Sequence, residues 1–376
     1  MLGPLFHAWE RHLASVSKDR VVRPFEWGTE WIPMPIDAGD AGPVVPATTA
    51  PPRVSRISPQ GQPDERSVIT DWVEAVMTDS RAFFHAGVAQ DYQFDAAGPE
   101  RSRTGEAGTL RFTSAMRTPH PENNTVVARW FPADDERSLT RSGPRGRAVV
   151  VMAQWNSDAG GHVGLSQLLA RFGVSALRIS LPYHDARMPP ELTRADYIVS
   201  ANIVRTLQVC RQAVLDIRRA VAWLASLGFE RIGLLGTSLG SCLAMLTSAH
   251  EPRVRAQALN HVSPYFGDVV WRGLSTRHVR AGLEGSIDVD TLRALWRPIS
   301  PFSYLEQVRT VKTLLVYAKY DLTFPLDLSR LLIDEFARRG LPHEAAVLWC
   351  GHYSTGLVPF KYIDGYLLTR FLRRAL

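Results

Sequence analysis

The chain has 376 residues, 45% of them hydrophobic and 21% charged, the ordinary balance of a globular protein with a large buried core. Its formal charge of +6 comes mostly from arginines dispersed among acidic residues, so no basic, aromatic-interleaved cluster points to a nucleic-acid partner. Three cysteines are too few for a disulfide framework or a metal cluster, and no apolar run is long enough to span a bilayer.

The first 105 residues differ in composition from the rest and read as an N-terminal extension with helical pieces. Polar residues interrupt its apolar start as early as Glu10, so no secretory signal peptide is predicted and we expect a cytoplasmic location. Residues 33–63 are rich in Pro, Gly, Ala, Ser and Thr, which predicts an irregular segment. The apolar side chains of residues 72–84 recur at helical spacing and are expected to pack against the main body.

Residues 106–376 alternate between strand-like and helical patterns and are expected to form one main domain. The first two strand-like runs leave no room for a helix between them and suit an antiparallel pair. The later runs are separated by helices, which requires parallel pairing. The sequence therefore predicts an α/β fold with a mostly parallel, eight-stranded sheet. The eight runs are residues 109–114, 125–131, 148–153, 175–181, 232–236, 256–259, 313–317 and 345–349.

Two intervals between these strands are long. Residues 194–227 carry a continuous helical pattern that ends at Gly228, a typical helix stop. Residues 262–311 are too many for a bare connection and contain further helical pieces. Because this second interval follows a strand at the carboxyl edge of the sheet, we expect it to form a lid over the substrate entrance.

A serine stands at a sharp strand-to-helix turn in the sequence Gly-Thr-Ser-Leu-Gly at residues 236–240. Residues 232–235 are continuously apolar, as in a strand buried on both faces, and apolar residues recur at helical spacing after the turn. This context is typical of a nucleophile elbow, in which flanking glycines avoid collisions with the neighbouring strand and helix. Ser238 is the candidate nucleophile.

A serine nucleophile needs a base within hydrogen-bond reach and an acid that orients the base. Asp321 stands just beyond the strand-like run 313–317, and His352 follows the last run, so both belong at the carboxyl edge of the sheet. We therefore predict Asp321 as the acid and His352 as the base. Other candidates are expected to be structural: Asp327 and Asp334 on a solvated helix face, His343 before the last strand, and His184 and His261 in the pocket or core.

The anionic intermediate of acyl transfer needs two backbone N–H donors. One is expected to be Leu239, at the positive end of the helix that follows the elbow. The other is expected from Gln154 or Trp155, after the strand-like run 148–153, although the loop lacks the HGGG form found in many lipases. Within the 262–311 interval, four aromatic residues are candidates to line the substrate pocket: Tyr265, Phe266, Trp271 and Trp296.

The elbow, the acid and the histidine, in that order, together with the eight strand-like runs, resemble the α/β-hydrolase superfamily over residues 106–376. The resemblance implies a doubly wound sheet with helices on both faces and a catalytic domain that hydrolyses esters, thioesters, amides or peptides without a cofactor. No metal ligand is predicted. The segment LPYHDARMP and the helix after it are similar to bacterial esterases and dienelactone hydrolases, although the latter use cysteine where this chain has Ser238. That similarity favours a small or medium acyl ester as substrate.

We therefore expect a carboxylesterase acting on a small-molecule acyl ester. Three alternatives stay open: a thioesterase or a peptidase with the same residues, and a non-catalytic binding protein that has kept the fold. The sequence does not specify an oligomeric state.

Overall fold

The computed structural model describes residues 2–16, 19–32, 64–136 and 145–376, so the predicted irregular segment 33–63 lies outside the described residues. The strands are β1 Gln93–Ala96, β2 Gly108–Thr113, β3 Thr125–Phe131, β4 Arg145–Met152, β5 Val174–Ile179, β6 Phe229–Thr237, β7 Val254–Asn260, β8 Lys312–Ala318 and β9 His343–Leu348. The helices are α1 Leu2–Ser15, α2 Glu65–Thr78, α3 Ser80–Phe83, α4 Pro99–Arg103, α5 Val163–Arg171, α6 Ile203–Ser226, α7 Leu239–His250, α8 Phe266–Arg272, α9 Arg277–Leu283, α10 Val289–Leu295, α11 Leu326–Arg338 and α12 Phe360–Ala375. Within the described ranges, none of these helices combines the length and the apolar character needed to cross a bilayer.

The strands form one sheet in the order β1-β2-β3-β5-β4-β6-β7-β8-β9. The pairs β1–β2, β2–β3 and β3–β5 are antiparallel, and every later pair is parallel. The predicted mostly parallel α/β sheet is therefore confirmed. Parallel strands run in the same direction, so the loops after β4, β6, β7, β8 and β9 meet at one edge of the sheet.

The sheet has nine strands rather than the predicted eight. The additional strand, β1, is four residues long and lies in the first 105 residues, where it pairs with β2 through contacts such as Phe94 opposite Leu110. It is short, its sequence is QFDA, and three of its four residues are exposed, so it carries little strand-like pattern. His343, predicted to precede the last strand, is the first residue of β9.

Helices cover both faces of the sheet, and alternate side chains of β4 show this directly. Val150 and Met152 belong to a large core under α2, α3, α6 and α7, whereas Val149 and Val151 belong to a second core under α5 and α12. A strand buried on both faces is continuously apolar, which is the pattern that identified these strands. The predicted helical stripe of residues 72–84 packs into the larger core from α2 and α3.

The predicted long helix begins later than expected. Residues 194–202 are irregular, and α6 starts at Ile203, where the side chain of Asn202 caps it by accepting a hydrogen bond from the Arg205 N–H at 2.9 Å. The helix ends before Gly228, whose φ of 94° is the left-handed conformation that glycine adopts readily. The predicted helix end is therefore confirmed.

A buried ion pair joins α6 to the antiparallel end of the sheet. Asp216, on α6, accepts hydrogen bonds from Ser114 Oγ and Ala115 N, both at 2.9 Å, just after β2. Its other oxygen accepts from Arg187 at 2.8 Å, and both charged side chains are fully enclosed. These contacts tie together three segments that are far apart in the chain.

We expect Asp216→Ala to lower the free energy of unfolding by about 3–5 kcal/mol, because Arg187 would stay buried without its charge partner. Asp95→Ala is the control, since Asp95 and Arg111 form an ion pair whose side chains are 63% and 45% exposed. Its removal is expected to cost at most about 1 kcal/mol. Urea unfolding measures both values, and equal small losses would contradict the structural role of the buried pair.

Candidate active site

Ser238 lies between β6 and α7 in a strained backbone conformation, with φ 58° and ψ −117°. A non-glycine residue rarely adopts a positive φ, and the strain is maintained only when the surroundings impose it. Here the surroundings are the end of a central parallel strand and the first turn of a buried helix. The elbow geometry predicted for residues 236–240 is present.

The two glycines of the elbow are needed because the backbone segments approach closely. A Cβ on Gly236 would collide with the carbonyl oxygen of Gly240, and a Cβ on Gly240 would lie 2.5 Å from the carbonyl oxygen of Met152 in β4. Any larger residue at either position would push α7 away from the sheet. The strand-to-helix turn therefore depends on both glycines.

Asp321 and His352 are brought together at the carboxyl edge, after β8 and β9 respectively. His352 Nδ1 lies 3.1 Å from Asp321 Oδ2. The other carboxylate oxygen, Oδ1, accepts the backbone N–H groups of Thr323 and Phe324, each at 2.7 Å. The Phe324 ring stacks on the His352 imidazole with 5.5 Å between ring centroids. Both the acid and the histidine are therefore held in fixed orientations.

The carboxyl group of Asp321 is ionised despite being buried. Burial alone would raise its pKa, but electrostatic attraction to the His352 imidazole and the hydrogen bonds from His261 and His352 outweigh that effect and hold the pKa well below its usual range. An ionised carboxylate only accepts hydrogen bonds, so His352 donates its Nδ1–H and presents Nε2 as a proton acceptor. This is the tautomer that a general base requires.

A second histidine shares the same carboxylate oxygen. His261, directly after β7, places Nδ1 2.7 Å from Asp321 Oδ2, and its ring centroid lies 4.3 Å from that of His352. Burial lowers the pKa of His261, as does the nearby His352, although Asp321 opposes this. Sequence analysis placed His261 in the pocket or core, which is correct, but its bond to the predicted acid was not foreseen. Its position after a parallel strand was the available signal.

Ser238 Oγ donates no hydrogen bond to either histidine or to any other side chain in the described part of the chain. Catalytic hydrogen bonds in unliganded sites are often long and tighten when substrate binds. Ser238, His261 and His352 nevertheless line one cavity of about 750 Å³. The nucleophile and both candidate bases therefore face the same space.

The candidate oxyanion donors are free. Among the described residues, the backbone N–H groups of Leu239, Gln154 and Trp155 donate to no other group, whereas the next N–H in the loop, that of Asn156, donates to His184 Nε2 at 3.0 Å. Leu239 opens α7 and Gln154 follows β4, so their backbones lie on neighbouring elements. The role of Leu239, with Gln154 or Trp155, as oxyanion donor stays a prediction of the sequence.

A second, smaller cavity of about 50 Å³ also opens at Ser238, and its lining tests the predicted pocket residues. Tyr265 and Phe266 contribute to its wall. Trp271 and Trp296 line neither cavity, and this part of the prediction is wrong. Trp296 is fully buried and donates its indole N–H to Ile203 O at 3.1 Å, while Trp271 lies under the Arg280 guanidinium. Aromatic content alone could not tell core packing from pocket lining.

Sequence reasoning missed one acidic residue that supports the histidine loop. Glu10, on α1, is completely buried and accepts hydrogen bonds from Tyr353 N at 2.8 Å, Ser354 N at 2.9 Å and Ser354 Oγ at 2.7 Å. A Cβ on Gly351 would collide with its carboxyl group, so Glu10 touches the loop on both sides of His352. In the sequence, the only indication of this role was that Glu10 is a charged residue inside an apolar helical pattern.

Helix α1 also contacts the loop that carries the acid. Phe6 stacks on Tyr320, the residue before Asp321, with 4.5 Å between ring centroids. Tyr320 N in turn donates to Cys350 O at 2.9 Å, which joins the acid loop to the histidine loop. The extension therefore supports both loops from outside the sheet.

A metal ion could in principle use the same side chains. His261, Asp321 and His352 offer ligand atoms within 4.8 Å of one another, and imidazole and carboxylate groups are ligands that Zn²⁺ binds. In the structure, however, both imidazoles bond to the carboxylate itself. That pattern is the one expected where a carboxylate orients an imidazole.

No protein-family model matches the sequence, and no curated protein matches it. Solved structures do match. An acetyl xylan esterase from Paenibacillus sp. R4 superposes with a TM-score of 0.56 and 14% identity, over 82% of this chain and 99% of that chain. Acetyl xylan esterase 1 from Thermoanaerobacterium sp. JW/SL YS485 gives a TM-score of 0.55 and 14% identity, over 81% and 93%. The acylaminoacyl peptidase of Pyrococcus horikoshii gives a TM-score of 0.55 and 15% identity, over 79% and 43%. These similarities confirm the α/β-hydrolase fold.

We expect Glu10→Gln to lower kcat for an activated acyl ester by about 10²-fold, because small displacements of a catalytic group have effects of this size. Glutamine keeps the volume of the side chain, but its NH₂ group cannot accept a backbone N–H, so the loop that carries His352 would shift. KM should change little. Circular dichroism establishes that the variant is folded, and steady-state kinetics measure both constants.

Glu30→Gln is the matched control, since Glu30 belongs to the same extension but is exposed. It is expected to leave both constants unchanged. A folded Glu10→Gln variant with native kcat would show that the three hydrogen bonds do not position the histidine.

Proposed function

We propose that the chain is a serine hydrolase of the carboxylesterase type, with Ser238 as nucleophile, His352 as base and Asp321 as the acid that orients the base. One observation carries the proposal. A strained elbow serine faces the same cavity as a histidine held in the acceptor tautomer by an ionised carboxylate. Backbone strain of this kind clusters at functional sites, and the histidine–carboxylate pair that faces the same cavity adds the base that catalysis requires and binding alone does not.

The first half of the reaction forms an acyl-enzyme. Ser238 Oγ attacks the ester carbonyl carbon while His352 Nε2 accepts the hydroxyl proton, and the ion pair with Asp321 stabilises the imidazolium. The N–H of Leu239 and that of Gln154 or Trp155 bind the oxyanion, aided by the positive end of α7. The carbon–oxygen bond to the alcohol then breaks, and His352 returns the proton to the leaving oxygen.

Water completes the reaction. His352 Nε2 takes a proton from a water molecule, the resulting hydroxide attacks the acyl carbon, and the second tetrahedral intermediate collapses to the free acid. Ser238 Oγ leaves with the proton from His352, so the enzyme returns to its starting state. No external oxidant, reductant or cofactor enters the balance.

Ester hydrolysis is favoured over peptide hydrolysis by the extent of the similarities. The superposition covers 99% and 93% of the two acetyl xylan esterases but only 43% of the acylaminoacyl peptidase. A thioesterase would use the same residues and differs only in its leaving group. Turnover of matched ester, thioester and amide substrates separates the three activities.

His352 is favoured over His261 as the base. Both histidines line the large cavity, but the His352 side chain is 12% exposed against 2% for His261, so His352 is the more accessible to a leaving group. His261, fully enclosed beside it, donates to the same carboxylate oxygen and limits how that oxygen can move. The cytoplasmic location and the lack of nucleic-acid partners stay predictions of the sequence.

We expect Ser238→Ala to abolish labelling by a fluorophosphonate and to lower kcat on the order of 10⁶-fold, as removal of a triad nucleophile does. Ser248→Ala is the control, because Ser248 lies on the same helix and its buried hydroxyl has no hydrogen-bond partner among the described residues. Labelling and turnover of the native enzyme should survive EDTA. Undiminished labelling of a folded Ser238→Ala variant, or loss of turnover in EDTA, would contradict the proposed chemistry.

The two histidines can be separated by matched substitutions. The side-chain amide of asparagine can still donate an N–H to Asp321. Unlike the imidazole of histidine, it has no basic nitrogen that can accept a proton. His352→Asn is expected to lower kcat as far as Ser238→Ala, because members of a triad act as a unit. His261→Asn should lose only on the order of 10-fold, the effect of a residue that acts through another. The reverse result would assign the base to His261.

A further inference from the structure

Two cavities of very different character meet at Ser238. Both are lined by Ser238, Trp155 and Ser275, so the reacting ester would lie where they join. We call the cavity of about 50 Å³ the small chamber and the cavity of about 750 Å³ the large chamber. An ester has two parts, and each chamber can receive one of them.

The small chamber is apolar and small. Val199 and Cys242 form part of its wall, and Phe266, Val269 and Val270 from the 262–311 interval form another part. Its volume of about 50 Å³ has space for about three to five water-sized groups. That space fits an acyl chain of about two to four carbons and excludes longer ones.

The placement of the catalytic groups decides which part of the ester enters which chamber. Leu239, the expected oxyanion donor, lines the small chamber, whereas His352 lines the large chamber and not the small one. His352 must protonate the leaving oxygen, so the alcohol has to lie on its side of Ser238. The acyl group therefore occupies the small chamber and the alcohol the large one.

The large chamber carries positive charge that its own residues do not balance. Arg20 donates to Tyr353 Oη at 2.9 Å, its buried Nε has no hydrogen-bond partner, and neither Arg20 nor Lys361 has a carboxylate partner in the described part of the chain. By contrast, Arg194 is neutralised by Asp19 at 3.0 Å and Asp196 at 3.4 Å.

The one carboxyl group that lines the large chamber does not offset these cations. Burial raises the pKa of Asp364 to about 7, so near neutral pH much of this group is uncharged. His162, on the same wall, stays neutral because burial lowers its pKa to about 4. Two cations without an ion-pair partner among the described residues, in a cavity of this size, favour a ligand with negative charge.

Resting on the function proposed above, we propose that the substrate is the ester of a short acyl group with a bulky, polar alcohol that carries an anionic group such as a carboxylate or a phosphate. The 262–311 interval sets the acyl length through the small chamber. Arg20, from the N-terminal extension, and Lys361, from α12, bind the anionic group of the alcohol.

The acyl half is tested with p-nitrophenyl acetate, butyrate and octanoate. We expect kcat/KM to fall at least about 10-fold between butyrate and octanoate, because the longer chain exceeds the small chamber. Val270→Ala should raise the octanoate-to-acetate ratio, and Val269→Ala serves if Val270→Ala does not fold. Val279→Ala is the matched control, since Val279 is buried on α9 but lines neither chamber. A native preference for octanoate, or an unchanged ratio in both chamber variants, overturns the assignment of the small chamber.

The charge half is tested with 4-acetoxybenzoate and its neutral methyl ester, which share the acetyl group. For each enzyme we take kcat/KM for the anionic ester divided by kcat/KM for the neutral ester. The value for a variant is then divided by the value for the native enzyme, and in this quotient the difference in leaving-group reactivity cancels. We expect this quotient to fall about 10-fold in Arg20→Gln, the effect of losing a hydrogen bond to a charged group. Lys361→Met should give a smaller fall, because Lys361 is exposed. A quotient of one in both variants overturns the assignment of the alcohol.

Lys312→Met is the control, because Lys312 starts β8 at the opposite edge of the sheet and donates to Ala375 O. Its quotient should stay at one. If the protein is not a serine hydrolase, the native protein will neither hydrolyse p-nitrophenyl acetate nor react with a fluorophosphonate.

If the native protein hydrolyses p-nitrophenyl acetate but shows neither predicted preference, the serine hydrolase activity is supported and the proposed substrate class is wrong.

Discussion

A buried carboxylate, that of Asp321, holds the candidate site together. An isolated charge in a protein interior is strongly unfavourable, so it persists only where hydrogen bonds and opposite charge compensate for the lost water. Asp321 receives two backbone N–H groups on one oxygen and two imidazoles on the other. The four donors lie in the loops after β7, β8 and β9. One ionised group therefore fixes the relative positions of three loops at the edge of the sheet.

The serine is positioned by a different kind of constraint, which is steric. At the elbow, α7 lies so close to β6 and to the end of β4 that only glycine fits at positions 236 and 240. The close approach forces Ser238 into its strained conformation and leaves the Leu239 N–H without a partner in the described part of the chain. Electrostatics thus place the acid and the histidines, while backbone packing places the nucleophile and one oxyanion donor.

The N-terminal extension belongs to this site rather than standing beside it. Glu10 holds the loop that carries His352, Phe6 packs on the residue before Asp321, and Arg20 lines the large chamber. The extension also adds β1 to the sheet, so the sheet continues across the predicted boundary at residue 105. The 262–311 interval supplies about half of the residues that line the small chamber. The substrate class that we propose follows largely from what these two segments contribute.

The sequence by itself determined what depends on short-range pattern. Strand-like patterns identified the eight longer strands, the elbow pentapeptide identified Ser238 as a candidate, and the order of strands placed Asp321 and His352 at one edge, since parallel strands share a direction. Only the tertiary structure decided what depends on contact between distant segments. The bond from His261 to Asp321 and the contact of Glu10 with the histidine loop join residues 60 and more than 340 positions apart. No local pattern encodes such distances. The prediction that Trp296 lines the pocket failed for the same reason. Trp296 is fully buried in the core, and whether an aromatic residue belongs to a core or to a pocket depends on neighbours that are distant in the sequence.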